Sequence, residues 1–435
     1  MHMGYGNVTP LHVPPEEPCS VSQTAHLPDD YLVTNTDLRF VEYVISRAME
    51  MGASDMLLTT HRRDDEEHLD VEVRVDGRMR PLHRVLGPIV SNIIVHFKNH
   101  AGLASSGSFR PEEATYDKVM VDGKPSKARV TSFRTSSGLE AINMRLPGTS
   151  AIRPVAEQGV SDENLRRIQQ MAARSNKMIM VAGPMGSGKS SLCHGLLSEL
   201  ADGTRAIWTI EDPVERELPG VVQLEVQKEH ADFHELLPAL VRADYDTLFL
   251  GEIRDNETAK AGVRQSKAGR QVLTTIHAND NVTALMRLIE LAEDTPLSVL
   301  DSVCGVISQR LVGRLNPDWD GVDPLDKYRG RVPINECLLV NDKVVQAIMN
   351  GMPLGELREL IFSMNASSRF EDNATELIAA GVTDIDEIHR VLGDGVLSPN
   401  PMSTAVSTKN VPELNGHPTE ERPPVTVGLP DLEGS

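Results

Sequence analysis

The stretch "MIMVAGPMGSGKSS", Met178 to Ser191, decides the fold. An apolar run, Met178 to Ala182, leads straight into Gly183, and Gly183 to Ser190 follows the pattern G-x-x-x-x-G-K-[ST] in full. The segment that comes next, "SLCHGLLSELA", reads as a helix. Strand, glycine-rich turn and helix together make a phosphate cradle. The backbone of Gly183, Pro184, Met185, Gly186, Ser187 and Gly188 can wrap closely enough to aim its amides at phosphate oxygens. The helix start, with Ser190 and Ser191, adds its positive dipole end. Lys189 supplies a point charge for the β- and γ-phosphates, and Ser190 a hydroxyl for Mg²⁺. ATP and Mg²⁺ are the expected cofactors.

Working outward, the short runs "AIWTI", "TLFLG" and "VLTTI" alternate with helical segments. Fully apolar runs of this length read as parallel strands buried on both faces. The expectation is an α/β P-loop domain with a parallel sheet over 161–398, ending in a mostly helical part from roughly 284. Upstream, "NTDLRFVEYVISRAMEMGAS" places Leu38, Val41, Val44, Ile45, Ala48 and Met49 at helical spacing, and Gly52 stops the helix. "LDVEVRVDGRMRPL" alternates with period two through a tight Asp-Gly turn. "KARVTSFRTSSGLEAINMRLPG" reads as two more strands, so 35–147 is expected to be a small α+β domain with an antiparallel sheet. Residues 148–160, flanked or interrupted by Pro147, Gly148, Pro154 and Gly159, read as a hinge. Residues 1–34, with five prolines, read as an irregular arm, and 399–435, with seven, as a disordered tail.

Three further strand ends carry candidate chemistry. "TLFLGEIRD" ends an apolar run at Glu252, the natural water-orienting base if its strand neighbours the phosphate loop. "AIWTIEDPVE" puts Glu211 and Asp212 at another strand end, either to hold water on the metal and orient the loop or as an ordinary exit into a turn. "VLTTIHANDN" places His277 after a run of β-formers, where the residues alone leave open a core histidine or one that faces chemistry.

Composition sets limits. Net charge is 43 − 63 = −20, which argues against strong direct nucleic-acid binding and against adsorption on anionic lipid. "RVDGRMRPLHR", Arg74 to Arg84, is a local basic cluster or a solvated strand face. Cys19, Cys193, Cys304 and Cys337 form no C-x-x-C pair, so no zinc ribbon is visible, and their spacing suggests a reducing compartment. No apolar run approaches ~20 residues, the span of a bilayer, and no secretory signal is seen. A soluble, cytoplasmic protein is expected.

"GPMGSGKSS", "TIEDPVE", "LFLGEIRD" and "AGRQVLTTIHAND" stand in the order and spacing of the secretion ATPase superfamily, which this chain resembles over about 36–395. That superfamily includes PilT-type retraction motors and the ATPases of type II and type IV secretion. "ASDMLLT" with "VRVDGRMR" resembles its N-terminal domain, and "ISQRLVGRL" with "GRVPINECLLV" its C-terminal part. The resemblance implies a RecA-like ATPase domain behind a PAS-like one, assembled as a homohexamer. It implies that His277 senses the nucleotide, that Glu211 and Glu252 belong to the catalytic set, and that Asp212 with Ser190 serves the metal. It implies that Arg129 and Arg145 reach nucleotide phosphates as the domains close, with Arg134 a weaker rival, and that Arg287 serves across a subunit boundary. The absent four-cysteine insert and the form of "TTIHAND" resemble the DotB/TraJ-type ATPases of type IVB secretion and conjugation. The implied function is an ATP-hydrolysing motor held at the cytoplasmic face of the inner membrane by membrane components of its machine. Pilus retraction, a P-loop small-molecule kinase and a non-hydrolysing scaffold are the rival readings.

Overall fold

A computed structural model of the chain describes residues 36–393 except 64–65, 105–108, 122–123, 149–150, 227–232 and 241. The expected arm (1–34), the expected tail (399–435), Cys19 and residues 149–150 of the expected hinge lie outside the described residues. The described chain divides into two units: residues up to 148 with Asp318–Lys327, and the rest from 151 onward. Sequence reading gave 318–327 to the second domain. In the structure Arg80 Nη1 pairs with Asp326 at 2.7 Å, which helps to hold that segment in the first unit.

The first unit runs α1 (Thr36–Glu50), β1 (Asp55–Arg63), β2 (Glu66–Val75), β3 (Arg78–Leu86), α2 (Ile89–His100), β4 (Glu112–Val121), β5 (Lys124–Arg134) and β6 (Glu140–Arg145). Its antiparallel sheet has the order β3-β2-β1-β6-β5-β4. Asp76 (φ 50) and Gly77 (φ 81) form the two-residue turn between β2 and β3, both in the left-handed region that a twisted hairpin requires. Val71 and Val73 face inward while Arg74 faces out, and Val41, Val44, Ile45 and Ala48 of α1 bury the matching stripe. Each buried Val or Ile of this set contributes about 2 kcal/mol, and Ala48 less.

The second unit opens with a 3₁₀ turn (Val155–Glu157) and continues α3 (Asp162–Ala172), β7 (Met178–Ala182), α4 (Lys189–Leu200), β8 (Ile207–Glu211), β9 (Val221–Glu225), α5 (Phe233–Leu240), β10 (Thr247–Ile253), α6 (Asn256–Lys267) and β11 (Gln271–Ile276). Then come α7 (Asn281–Ala292), α8 (Pro296–Ser302), β12 (Val303–Leu315), β13 (Tyr328–Leu339), α9 (Asp342–Met349), α10 (Leu354–Ser363), α11 (Phe370–Ala379) and α12 (Ile385–Leu392). The sheet order is β13-β12-β7-β11-β10-β8-β9.

β7 is buried on both faces: Met178, Met180 and Ala182 enter one apolar cluster, Ile179 and Val181 another. Three expectations are corrected. The sheet is mixed, because β13 runs antiparallel to β12 while the other pairings are parallel. The part after 284 is not mostly helical, since β12 and β13 are strands of 13 and 12 residues whose apolar runs extend the sheet. And β10 does not neighbour β7, because β11 lies between them. No helix among the described residues is long and apolar enough to cross a membrane. Cys193, Cys304 and Cys337 are free and buried.

Candidate active site

The phosphate-loop pattern folds as a turn between β7 and α4. Gly188 caps α4 at φ 83, and a Cβ there would lie 2.7 Å from Gln309 Nε2. A Cβ on Gly183 would lie 2.6 Å from the Gln309 carbonyl oxygen and collide with Ser187 Oγ. Glycine is therefore required at both ends of the loop by close packing against β12, on top of the left-handed backbone at Gly188. Pro184, Met185 and Gly186 are exposed, Ser187 is buried, Ser190 is half-buried and Ser191 exposed. Lys189 Nζ donates to the carbonyls of Gly183 (3.0 Å) and Pro184 (2.9 Å). Burial pushes its pKa down, with the Glu252 carboxylate acting in the opposite sense.

Glu252, at the end of β10, has both oxygens engaged. Oε1 lies 2.9 Å from His277 Nε2, just past β11, and Oε2 accepts a 2.6 Å hydrogen bond from Arg254 Nε. Arg254 also reaches Asp212 Oδ2 at 3.5 Å, which ties the exit of β8 to the end of β10. Thr275 Oγ1 donates to the Gly251 carbonyl at 2.6 Å and fixes β11 beside that strand end.

His277 is no core residue, with its side chain 40% exposed. Burial, then Lys189, pushes its pKa below the ordinary histidine value, against the pull of Glu252 and the Gly183 backbone. A neutral imidazole carries a single N–H, so it can donate to Glu252 or to the Gly183 carbonyl but not to both. That is the geometry of an exchangeable contact.

Glu211 is placed otherwise. Expected among the catalytic groups, it is 5% exposed and enclosed by His194 Nε2 (3.0 Å), Thr209 Oγ1 (2.7 Å) and Gln223 Nε2 (3.0 Å). Burial alone would raise its pKa, but the hydrogen bonds from His194, Gln223 and Thr209 outweigh it and hold the carboxyl below its usual range. A water or phosphate oxygen would have to displace those partners to reach it.

The arginines fall into separate places. In the first unit, strand register sets Arg74, Asp55, Arg145 and Arg129 in one row across β2, β1, β6 and β5. Arg145 Nε lies 3.3 Å from Asp55 Oδ1 and Arg74 Nε 3.7 Å from Oδ2. Arg134 donates to the Gly138 carbonyl at 3.2 Å and lies 4.6 Å from the Phe109 ring centre, a turn-stabilising placement. Arg287 is exposed on α7.

So the structure gathers Lys189, Glu252, His277 and Asp212 at the carboxyl ends of the strands, and sets Glu211 in a buried network at the end of β8. Sequence reading missed Arg254, although a cation two residues past the strand-end acid was visible in "GEIRD". It also missed Gln309 and His194, which no local pattern distinguishes.

Residues 35–390 match the family model described as "Type II/IV secretion system protein". The type II secretion system protein HxcR of Pseudomonas aeruginosa is 32% identical over 371 residues, covering 82% of this chain and 77% of that protein. Among solved structures, the Legionella pneumophila ATPase DotB aligns with a TM-score of 0.65 at 19% identity, over 84% of this chain and 96% of that one. The pilus retraction motor PilT, solved with bound ADP, aligns at 0.59 and 23% identity, over 83% and 97%. Both structural likenesses speak to the fold.

Proposed function

The chain belongs to the Type II/IV secretion system protein family, and from that premise we propose a Mg-ATP-driven motor, working as a homohexameric ring on a secretion machine of the type IVB or conjugative kind. Its enzymatic activity is ATP hydrolysis. The observation that carries the motor reading is the Glu252 carboxylate held between His277 and Arg254, within electrostatic reach of Lys189.

Arriving phosphates replace the Gly183 and Pro184 carbonyls as acceptors for Lys189. The donors nearby are hard oxygens: the Ser190 hydroxyl and the carboxylates of Asp212 and Glu252. That set fits Mg²⁺; Ser190 and Asp212 would hold it, and it would neutralise phosphate charge. Glu252 orients the attacking water once one of its oxygens is released. His277 provides that release by turning its single N–H from Glu252 to a γ-phosphate oxygen, and it returns when hydrolysis removes the partner. The position of β11 and α7 thereby follows the phosphate state.

Arg129 and Arg145 in their cross-strand row complete the charge stabilisation, Arg287 acts across a subunit boundary, and 148–160 is the pivot. Glu211 supports α4 through His194 and does not handle water. We keep the PAS-like class for the first unit, supported by its antiparallel sheet with β1 and β6 at the centre. The narrower assignment to type IVB-like machines rests on the connection between β12 and β13, which carries no cysteine. Attachment at the inner membrane's cytoplasmic face would run through membrane partners, and the −20 charge argues against direct nucleic-acid handling.

The test is ATP turnover by the purified chain, with mass by light scattering with and without Mg-ATP. A six-subunit ring that turns over ATP is the expected result, and a hydrolysing monomer sinks the ring. A deletion strain that loses pilus retraction but keeps macromolecular transfer would move the motor to the pilus.

A further inference from the structure

One residue of β12 touches both ends of the phosphate loop. The Gln309 main-chain oxygen packs against Gly183, and its side-chain Nε2 lies against Gly188 and donates to the Ser187 carbonyl at 2.8 Å. Behind it runs a buried line of amides. Asn335 Nδ2 donates to Gln309 Oε1 (2.9 Å) and Asn335 N to Asn373 Oδ1 (3.1 Å). Asn164 Nδ2 donates to the same Asn373 oxygen (2.8 Å), and Asn373 Nδ2 to Ser161 Oγ, the cap of α3 (3.0 Å). Gln309, Asn335, Asn164 and Asn373 are 8% exposed or less.

We propose that Gln309 is a positioning residue for nucleotide binding, which sets the phosphate loop through the Ser187 carbonyl and is itself set by the Asn335–Asn373–Asn164 line. This rests on the nucleotide-binding reading above and deepens it. In a trans peptide the C=O of Ser187 and the N–H of Gly188 point in opposite directions. Holding the carbonyl against Gln309 therefore turns the Gly188 amide the other way, into the cradle where a phosphate oxygen needs a donor. The network is a costly way to fill a core: Ser187 Oγ, Asn164 Oδ1 and Asn335 Oδ1 are buried without hydrogen-bond partners among the described residues. An apolar set would fold more cheaply, which points to a task at the loop.

The test uses the full chain with Gln309→Met, which keeps the length and loses the donor. Titration with N-methylanthraniloyl-ADP should show affinity about 10-fold weaker, the scale of one buried hydrogen bond. KM for ATP should rise more than saturated turnover falls, and amide exchange across 183–190 should quicken without nucleotide. Gln309→Glu, which sets an acceptor against the Ser187 carbonyl, should bind more weakly still. Should Gln309→Met not fold, Asn373→Ser is the second arm, with a loss of about 3-fold in the same direction. Wild-type affinity in a folded variant overturns the proposal, as does an affinity loss that merely tracks the unfolded fraction. Wild-type protein that binds no ADP analogue overturns the phosphate-loop reading itself, and this proposal with it.

Discussion

Strands β8 and β10 lie side by side in the sheet, and each ends in a run of apolar residues followed by a glutamate. Glu211 is enclosed by three side chains, the buried His194 and Thr209 and the half-buried Gln223. Glu252 is engaged by His277 and Arg254, whose side chains are 40% and 60% exposed. The same local pattern thus yields one fixed carboxylate and one exchangeable one. The difference lies in the exposure of the partners, and the carboxylate with exposed partners is the one placed to hand an oxygen to a water during a cycle.

The largest expected effect tests that exchangeability. Glu252→Gln should lower ATP turnover by about 100-fold or more while nucleotide binding and melting temperature stay near wild type. Steady-state hydrolysis beside a nucleotide titration reads both. If Glu211→Gln cuts turnover as deeply, with unchanged melting, the two strand ends are equivalent and the contrast is wrong.

Next comes the fixed carboxylate. Glu211→Ala leaves His194 and Gln223 facing a polar void and should cost about 3 kcal/mol of stability, roughly 5–10 °C in melting temperature. Turnover per folded molecule should change only a few-fold. Calorimetry with turnover normalised to folded protein separates the two, and an unchanged melting temperature would mean that the buried network carries nothing.

Sequence reading reached the loop and the strand ends because both are local. A G-x-x-x-x-G-K-[ST] pattern after an apolar run fixes strand, turn and helix within fourteen residues, and Asp76-Gly77 fixes a hairpin within two. It failed where the deciding partner is distant. Glu211 and Glu252 look alike until His194 and Gln223 are brought in, and Gln309 acts on Ser187 across 122 positions. The run "VCGVISQRLVGRL" falls in the part read as mostly helical because its mixed apolar and polar residues keep no clean period of two to mark a strand. The insertion of β11 between β7 and β10 is a fact of topology that no local spacing encodes.

A third carboxylate sharpens the comparison with the smallest effect. Glu336 of β13 is buried like Glu211, but where three side chains enclose Glu211, its carboxylate takes a hydrogen bond from the Asn281 backbone. Burial first, then Asp280, pushes its pKa up to about 8, with Glu371 adding to the rise and the Asn281 backbone hydrogen bond and Arg358 opposing it, while Arg310 also faces it. Unfolded, this group ionises in the ordinary carboxylate range; folded, it keeps its proton to about 8. The folded state therefore holds the extra proton between those values. The stability this provides is complete below the unfolded value and is lost as pH rises through the folded one. Glu211, held low by its partners, has the opposite slope: its contribution is present above the unfolded value and is lost as pH falls through the folded one. Glu336→Gln removes the titration and keeps the shape, so the variant should lie near wild type at about pH 5 and become the more stable of the two as pH rises towards 8. Denaturant melts across that range decide it. Parallel curves would mean that the Asn281 amide, Arg310 and Arg358 hold Glu336 ionised in the folded protein, and that burial is less decisive here than the contrast with Glu211 requires.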